Sequence, residues 1–536
     1  MSTTTPLPRT SAPADASLFT ALRAAFPADL DAVAIDAADA VPPRRWRWRE
    51  IDAASARIAN LLASLGLAAD ARIAVQVGKS VEALALYLGV LRAGLVFMPL
   101  NTAYQAAEIE YFIGNAEPAV VVCSPGNLPW VAPLAQAAGT AHVFTLGDDG
   151  RGTLLDRAAA FGDAQQPVPR GPQDLAAIIY TSGTTGRSKG AMLTHGNLLS
   201  NARVLKDAWD WQPDDVLIHA LPIFHVHGLF VAIHGALLNG SPMIWFAKFD
   251  PKAVIGRLPQ ATVFMGVPTL YTRMLAEPAL THAACARMRL FISGSAPLQV
   301  ETFDEWTART GHVILERYGM SETAMLTSNP CRAADGPRRR GTVGPALPGV
   351  QLRVMRQAKE AGSAGVPCAT GEIGDIEVRG PNVFKGYWRM PEKTAEDFTI
   401  DGWFKTGDVG TLDADGYVTI VGRSKDLIIS GGYNVYPAEI EGFLNDLPGV
   451  AESAVVGVPH ADFGEAVIAF VVPKAGAVVD GAVLVAALKG RIAGFKVPKQ
   501  VFVVDELPRN AMGKVQKKQL REEQRTLFAT TVQAAS

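Results

Sequence analysis

Thr181-Ser-Gly-Thr-Thr-Gly-Arg-Ser-Lys-Gly190 is the stretch on which the reading of this chain turns. The apolar run from Leu175 to Tyr180 leads into it and predicts a buried strand. Ala191-Met-Leu193 follows, and Thr194 to Trp209 predicts a helix. The loop between them suits a polyphosphate. Its glycines, Gly183 and Gly186 among them, let backbone N–H groups turn into a concave anion nest. The hydroxyls of Thr181, Ser182, Thr184 and Thr185 can donate to phosphate oxygens, and Lys189 supplies a mobile cation. A solvated Ser/Gly loop is the bland alternative. The ordered alternation of hydroxyls and glycines, closed by a lysine, disfavours it. Nor is this a Walker A loop: Ser188 stands where that pattern needs Gly, and Gly190 follows Lys189 where it needs Ser or Thr.

Outward from this loop, composition sets bounds. At 536 residues the chain is too long for one hydrophobic core. A net charge of -2 gives no basis for nucleic-acid binding or membrane attraction. The cluster Arg338-Arg339-Arg340 is local and points to a site or a solvated loop. Cys123, Cys285, Cys331 and Cys368 lie far apart with no CxxC, which fits a reducing compartment and gives no zinc site. No stretch is apolar for long enough to span a bilayer, so no membrane insertion is expected. Residues 1–17 are Thr-, Pro- and Ala-rich without a signal peptide's apolar core; they read as a flexible arm, and a cytoplasmic location is expected.

The fold reading is α/β. Strand and helix signals alternate from Arg72 to Cys123 and again from Val216 to Ser293, which predicts two layered subdomains with parallel sheets. Ser80 is expected to cap the helix after the strand Arg72 to Val77, and Gly94 to end it. From Thr342 to about Ile420 short β-rich runs with Gly and Pro predict a small barrel-like subdomain. The boundary is placed at Arg423 to Lys425. Residues 18–422 then form a large N-terminal domain, and residues 423–536 a smaller, mobile α+β domain.

The loop resembles the phosphate loop of the acyl-adenylate-forming superfamily, which includes acyl-CoA synthetases. Further motifs follow in that family's order. In Tyr318-Gly-Met-Ser-Glu-Thr323 the resemblance implies that Tyr318 stacks on adenine with Gly319 and Met320 beside it, that Glu322 helps hold Mg²⁺, and that Thr323 touches the α-phosphate. Ser293-Gly-Ser-Ala-Pro297 resembles the segment whose backbone lines the adenine and acyl pockets, through Ser295, Ala296 and Pro297. Trp403-Phe-Lys-Thr-Gly-Asp408 resembles the segment whose Asp takes both ribose hydroxyls; a carboxylate's two acceptors match a vicinal diol. Arg423 matches a ribose contact and Lys425 the hinge. Leu507-Pro-Arg-Asn-Ala-Met-Gly-Lys514 resembles the segment carrying the catalytic lysine, Lys514. Ser430-Gly-Gly-Tyr-Asn-Val-Tyr-Pro437 resembles the loop that presents Gly431, Gly432 and Tyr433 to the CoA channel. His225-Val-His227 offers two imidazoles, but no third zinc ligand is evident; the resemblance puts the stretch beside the acyl channel.

The resemblance implies an ATP-dependent acyl-CoA synthetase, a ligase with ATP and CoA as co-substrates and Mg²⁺ as cofactor. Leu221 to Phe230, Arg289 to Pro297 and Arg339 to Gly344 look like malonyl-CoA synthetases, enzymes of fatty acid metabolism, except that Arg340 stands where Pro is expected. Malonate, with methylmalonate as a second acid, is therefore the expected substrate. A second carboxylate buried unpaired would cost several kcal/mol, and Arg is the preferred fork for it. Arg289 and Arg339 are expected to hold it, near His225 and Ser293. The alternative within the superfamily is a medium-chain fatty-acyl or aryl-CoA synthetase. Transfer to a carrier-protein thiol and a non-catalytic nucleotide-binding scaffold are the other rivals. Lys514 is also a candidate for acetylation, which would remove its charge.

Overall fold

Several strands are buried at every position, among them Val96–Pro99, Val120–Cys123, Val263–Gly266 and Leu290–Ser293. A strand apolar along its whole length needs cover on both faces, which favours parallel sheets sandwiched by helices. The computed structural model describes residues 17–40, 43–181, 188–356, 365–430, 433–460, 462–489, 491–510 and 513–528. In it those strands build two sheets. A six-stranded sheet runs in the order His142–Thr145, Val120–Cys123, Arg72–Gln76, Val96–Pro99, Leu175–Thr181, Lys189–Thr194. All its pairs are parallel except the last, the hairpin around the phosphate loop. An eight-stranded sheet runs Ala324–Ser328, Leu315–Met320, Leu290–Ser293, Val263–Gly266, Leu217–His219, Met243–Trp245, Val33–Ala37, Arg44–Arg47. It is parallel except for the outermost pair on each side.

Local signals place the helices. Ser80 accepts from Ala83 N–H and opens Val81–Arg92, with Glu82 in the first turn, where the helix end is positive. Thr194 caps His195–Ala208 in a capping box with Asn197. Between the sheets' helices sit the largest buried rings, such as Tyr271, Phe291 and Trp306, packed edge-on. The helix after the strand Leu217–His219 begins as a π-helix, His227–Ile233, and continues as the α-helix His234–Asn239. A wide turn of this kind marks functional positions more often than not.

The chain divides into two compact units, Met1–Gln351 with Arg379–Phe404, and Leu352–Val378 with Lys405–Ser536. The boundary expected after residue 422 lies inside the second unit. The strand Val418–Arg423 runs directly into the short turn Ser424–Asp426, and Ser424 Oγ donates to Asp375 Oδ1 at 2.7 Å, so the β-rich stretch groups with the C-terminal residues. The second unit also holds the sheet of Tyr433–Val435, Ile428–Ser430, Gly464–Pro473 and Val450–His460, with Gln500–Val503 paired to Gly464–Pro473. Among the described residues no helix is long and apolar enough to cross a membrane.

Gly344 is a point where the fold tolerates no side chain. Its φ is +76°, and a Cβ would sit 2.1 Å from the backbone of Ser328 and Asn329. Gly341, at φ +71°, has nothing within 4 Å. Gly341→Ala is expected to cost about 1 kcal/mol, the left-handed penalty alone. Gly344→Ala should cost at least about 2 kcal/mol more, because backbone must move; urea unfolding of both variants measures the gap.

Candidate active site

In the first unit, functional side chains gather at the carboxyl ends of parallel strands, where open α/β sheets bind ligands. The phosphate loop is carried by the hairpin that pairs Thr181 with Lys189. Ser182, Gly183, Thr184, Thr185 and Gly186 lie outside the described residues. Thr181 Oγ1 donates to Glu322 Oε1 at 3.4 Å, so the loop's stem meets the Tyr318–Thr323 motif. Glu322 is buried and also receives the Tyr387 hydroxyl at 3.3 Å. Tyr318, Gly319 and Met320 lie on the strand Leu315–Met320, half-buried, rather than in a loop after it. Thr323 is fully buried and donates to Ala324 O.

The acyl-pocket motif follows the strand Leu290–Ser293. Ser293 is fully buried, and its hydroxyl has no partner among the described residues. Ser295 adopts φ +73°, a left-handed conformation that costs a non-glycine residue energy. Its Oγ lies 3.3 Å from His227 Nδ1. Ala296 is half-buried and Pro297 exposed. His227 is buried at the start of the π-helix, and its Nε2 is unpartnered among the described residues. Burial first, and then the nearby Arg317 charge, push its pKa well below the usual value, so the ring is neutral. His225 is half-buried and accepts from His227 N–H. Among the described residues no group of three or more His, Cys, Asp or Glu side chains could hold a metal.

Beside these atoms stands a residue that the sequence reading did not single out. Arg317 is 2% exposed, and its Nε, Nη1 and Nη2 all lack partners among the described residues. Its guanidinium lies against Gly294, where a Cβ would come within 2.6 Å of Cζ. Burial lowers its pKa to about 9, so it is still charged at neutral pH. Neighbouring Glu316 does not neutralise it. That side chain alternates to the other face of the strand and accepts the N–H groups of Gly341 and Leu298; burial pushes its carboxyl up to about 8. A buried cation without an anion is expensive, and Arg317 lies close enough to His227 for its charge to act on that ring, whose Nε2 is open among the described residues. Ser293, paired in register with Glu316, turns its hydroxyl to the opposite strand face. A charge two residues beyond buried Leu315, on the same strand face, was the available signal.

Arg289 is placed elsewhere. Arg289 precedes the amino end of the strand whose carboxyl end is Ser293, so it sits at the wrong end of the sheet for the pocket. Its guanidinium forks onto Asp215, Nε to Oδ1 at 3.1 Å and Nη2 to Oδ2 at 2.6 Å, and Asp215 is 1% exposed. Arg339 is half-buried and its N–H donates to Asn329 Oδ1. Arg338 spends its guanidinium on the carbonyls of Val313, Pro330 and Cys331.

In the second unit, Asp408 is buried and pairs with Arg423 across neighbouring strands, Nε to Oδ1 at 2.9 Å. Lys425 is exposed in the turn Ser424–Asp426. Gly431 and Gly432 lie outside the described residues. Tyr433 is exposed and stacks on Phe495 at 4.5 Å. Lys514 is exposed after Gly513, and its N–H donates to Asn510 Oδ1, which closes a tight turn.

The sequence model of the AMP-binding enzyme family matches residues 23–388, and that of the AMP-binding enzyme C-terminal domain matches residues 439–514. The chain belongs to the AMP-binding enzyme family. It is similar to the malonate–CoA ligase of Arabidopsis thaliana, 35% identical over 84% of this chain and 78% of that protein. It is also similar to the feruloyl-CoA synthase of an Amycolatopsis species, 37% identical over 88% and 93%. The ATP-bound crystal structure of MatB from Rhodopseudomonas palustris superposes with a TM-score of 0.91, at 54% identity, covering 96% of this chain and all of that one.

The ion pair of Arg289 with Asp215 is thus a brace of this family member's first unit. Arg289→Met strands a buried carboxylate and should destabilise the protein by about 3 kcal/mol. The ratio of kcat/KM between a dicarboxylic acid and its monocarboxylic analogue should stay within about twofold of the wild type, as for a site remote from the pocket. Thermal unfolding and that ratio, measured together, check both halves.

Proposed function

We propose that this chain is an ATP-dependent acid–CoA ligase whose acid is malonate, with methylmalonate as a second substrate. The observation that carries the choice of acid is the buried guanidinium of Arg317, which lies against Gly294 and has no partner among the described residues. A carboxylate is a poor electrophile, because its leaving group would be oxide. In the first step one malonate oxygen attacks the α-phosphorus of ATP and pyrophosphate leaves, giving malonyl-AMP. In the second the CoA sulfur attacks the carbonyl carbon, the thiol proton is released, and AMP departs with its phosphate oxygen. Arg317 holds the carboxylate that does not react, and neutral His227 donates or accepts beside it.

The other roles follow the motifs. Tyr318, with Gly319, Met320, Ser295, Ala296 and Pro297, frames the adenine. Thr181 to Gly186 and Lys189 hold the β- and γ-phosphates, and Thr323 the α-phosphate. Asp408 and Arg423 take the ribose. Glu322 fits Mg²⁺: it is a buried carboxylate with hydroxyls on it, and a hard cation that keeps phosphate and water ligands needs only one or two carboxylates. Bound there, the ion would screen charge on the phosphates. Lys514 stabilises negative charge as the carboxylate meets phosphorus, and Gly431, Gly432 and Tyr433 border the CoA channel. Serving both steps calls for the residues after Lys425 to rotate about that hinge. Four free cysteines fit a reducing, cytoplasmic setting. Acetylation of exposed Lys514 would remove its charge and stop the first step.

The feruloyl-CoA synthase among the relatives is the best ground for an aryl-acid reading. Arg317 counts against it, since an apolar acid would leave the guanidinium buried and alone. Arg317→Met should lower kcat/KM for malonate by two to three orders of magnitude, roughly the 2–5 kcal/mol of a truncated buried charge pair, and hurt acetate or butyrate far less. Equal losses for both acids would remove the dicarboxylate reading. Lys514→Ala should abolish malonate-dependent pyrophosphate release while keeping at least about a tenth of the rate at which synthetic malonyl-AMP and CoA give thioester, since the steps draw on different groups.

A further inference from the structure

One charged group near the phosphate loop has no part in the roles above. Asp397 ends the helix Pro391–Asp397 and binds two ammonium groups. Lys189 Nζ lies 3.1 Å from its Oδ2, and Lys393 Nζ 2.9 Å from its Oδ1. Lys189 Nζ also stands 4.1 Å from the centroid of the Tyr387 ring. The Tyr387 hydroxyl lies between the carboxylates of Asp397 and Glu322 and donates to Glu322 Oε1, the oxygen that Thr181 also reaches. The backbone fixes this relation. Trp388 N donates to Gly190 O at 2.8 Å, Lys385 N to Met192 O at 2.9 Å, and Met192 N to Gly386 O at 3.0 Å. Residues 385–388 therefore run antiparallel alongside Lys189–Thr194, with Tyr387 opposite Ala191 and its ring on the face of Lys189.

We propose that Asp397 and Tyr387 are positioning residues for the terminal phosphates of ATP, holding the Lys189 ammonium at a fixed place beside Glu322. The inference rests on the reading of Lys189 as a phosphate ligand. An ammonium has three donors; Asp397 takes one and leaves two for phosphate oxygens. A lysine stem unheld would spread over many rotamers and lose that freedom on binding. The opposing effect is repulsion between the Asp397 carboxylate and a polyphosphate. Lys393 on the second oxygen offsets that charge, so orientation dominates.

Malonate-dependent ATP–pyrophosphate exchange on the full chain provides the test. Asp397→Ala should raise the KM for ATP and for pyrophosphate about tenfold, with the KM for malonate and the melting temperature near wild type. Asp397→Glu should restore most of the loss. In a Lys189→Met background, Asp397→Ala should add less than about twofold, because the two act through one contact. An unchanged or lower KM for ATP overturns the proposal, as do penalties that multiply in the double variant. Should Asp397→Ala fail to fold, Tyr387→Phe is compared in the same two backgrounds, where a multiplied penalty again overturns it. Absence of exchange in the wild-type protein defeats the adenylation reading itself and the inference with it; a normal wild type with an indifferent Asp397 defeats the inference alone.

Discussion

The acid site proposed above depends on an uncompensated charge. Arg317 is charged, buried and unpartnered among the described residues, and an anion brought from outside would offset its desolvation. On that proposal stability and specificity are coupled at this one atom group. The core that buries Tyr271, Phe291 and Trp306 supports a cation that weakens it, and a bound dicarboxylic acid would give back what the fold gave up. Gly294 makes the approach possible, since any larger residue would overlap the guanidinium. The pocket is thus a product of backbone bareness as much as of side-chain chemistry.

Much of this was legible beforehand, for identifiable reasons. The strands at Val120–Cys123 and Leu290–Ser293 follow from short apolar runs, and the helices after Ser80 and Thr194 follow from their caps. The motif residues could be placed because long, ordered patterns name themselves. The carboxylate receptor could not. Arg289 and Arg317 both border motif segments, and sequence has no direction in which a strand points. Arg289 precedes a strand at its amino end and meets Asp215, 74 residues away in the chain, a partner no local pattern announces. Arg317 continues a strand toward its carboxyl end, and its guanidinium finds no hydrogen-bond partner among the described residues. The grouping of the β-rich stretch with the second unit was hidden for a related reason. Contacts such as that of Ser424 Oγ with Asp375 Oδ1, between residues far apart in the chain, accompany it, and composition does not announce them.

The two units carry unlike kinds of order. In the first, the groups proposed for nucleotide and acid are locked by strand pairing and burial. In the second, Lys514 is exposed on a turn and Tyr433 at the start of a strand, while Asp408 and Arg423 are fixed by cross-strand pairing. Long exposed side chains suit residues that must meet a substrate only at one stage of a reaction, and a buried carboxylate suits one that must stay with it throughout.

The wide turns of His227–Ile233 carry a different lesson. A π-helix accommodates one residue more than an α-helix of the same span, so its geometry is set by chain length. Deleting a single residue there would let the coil tighten between unchanged flanks and swing the imidazole off the strained Ser295. Pocket shape in such a scaffold can therefore drift by insertion and loss of residues, a route open to evolution even where every lining side chain is kept.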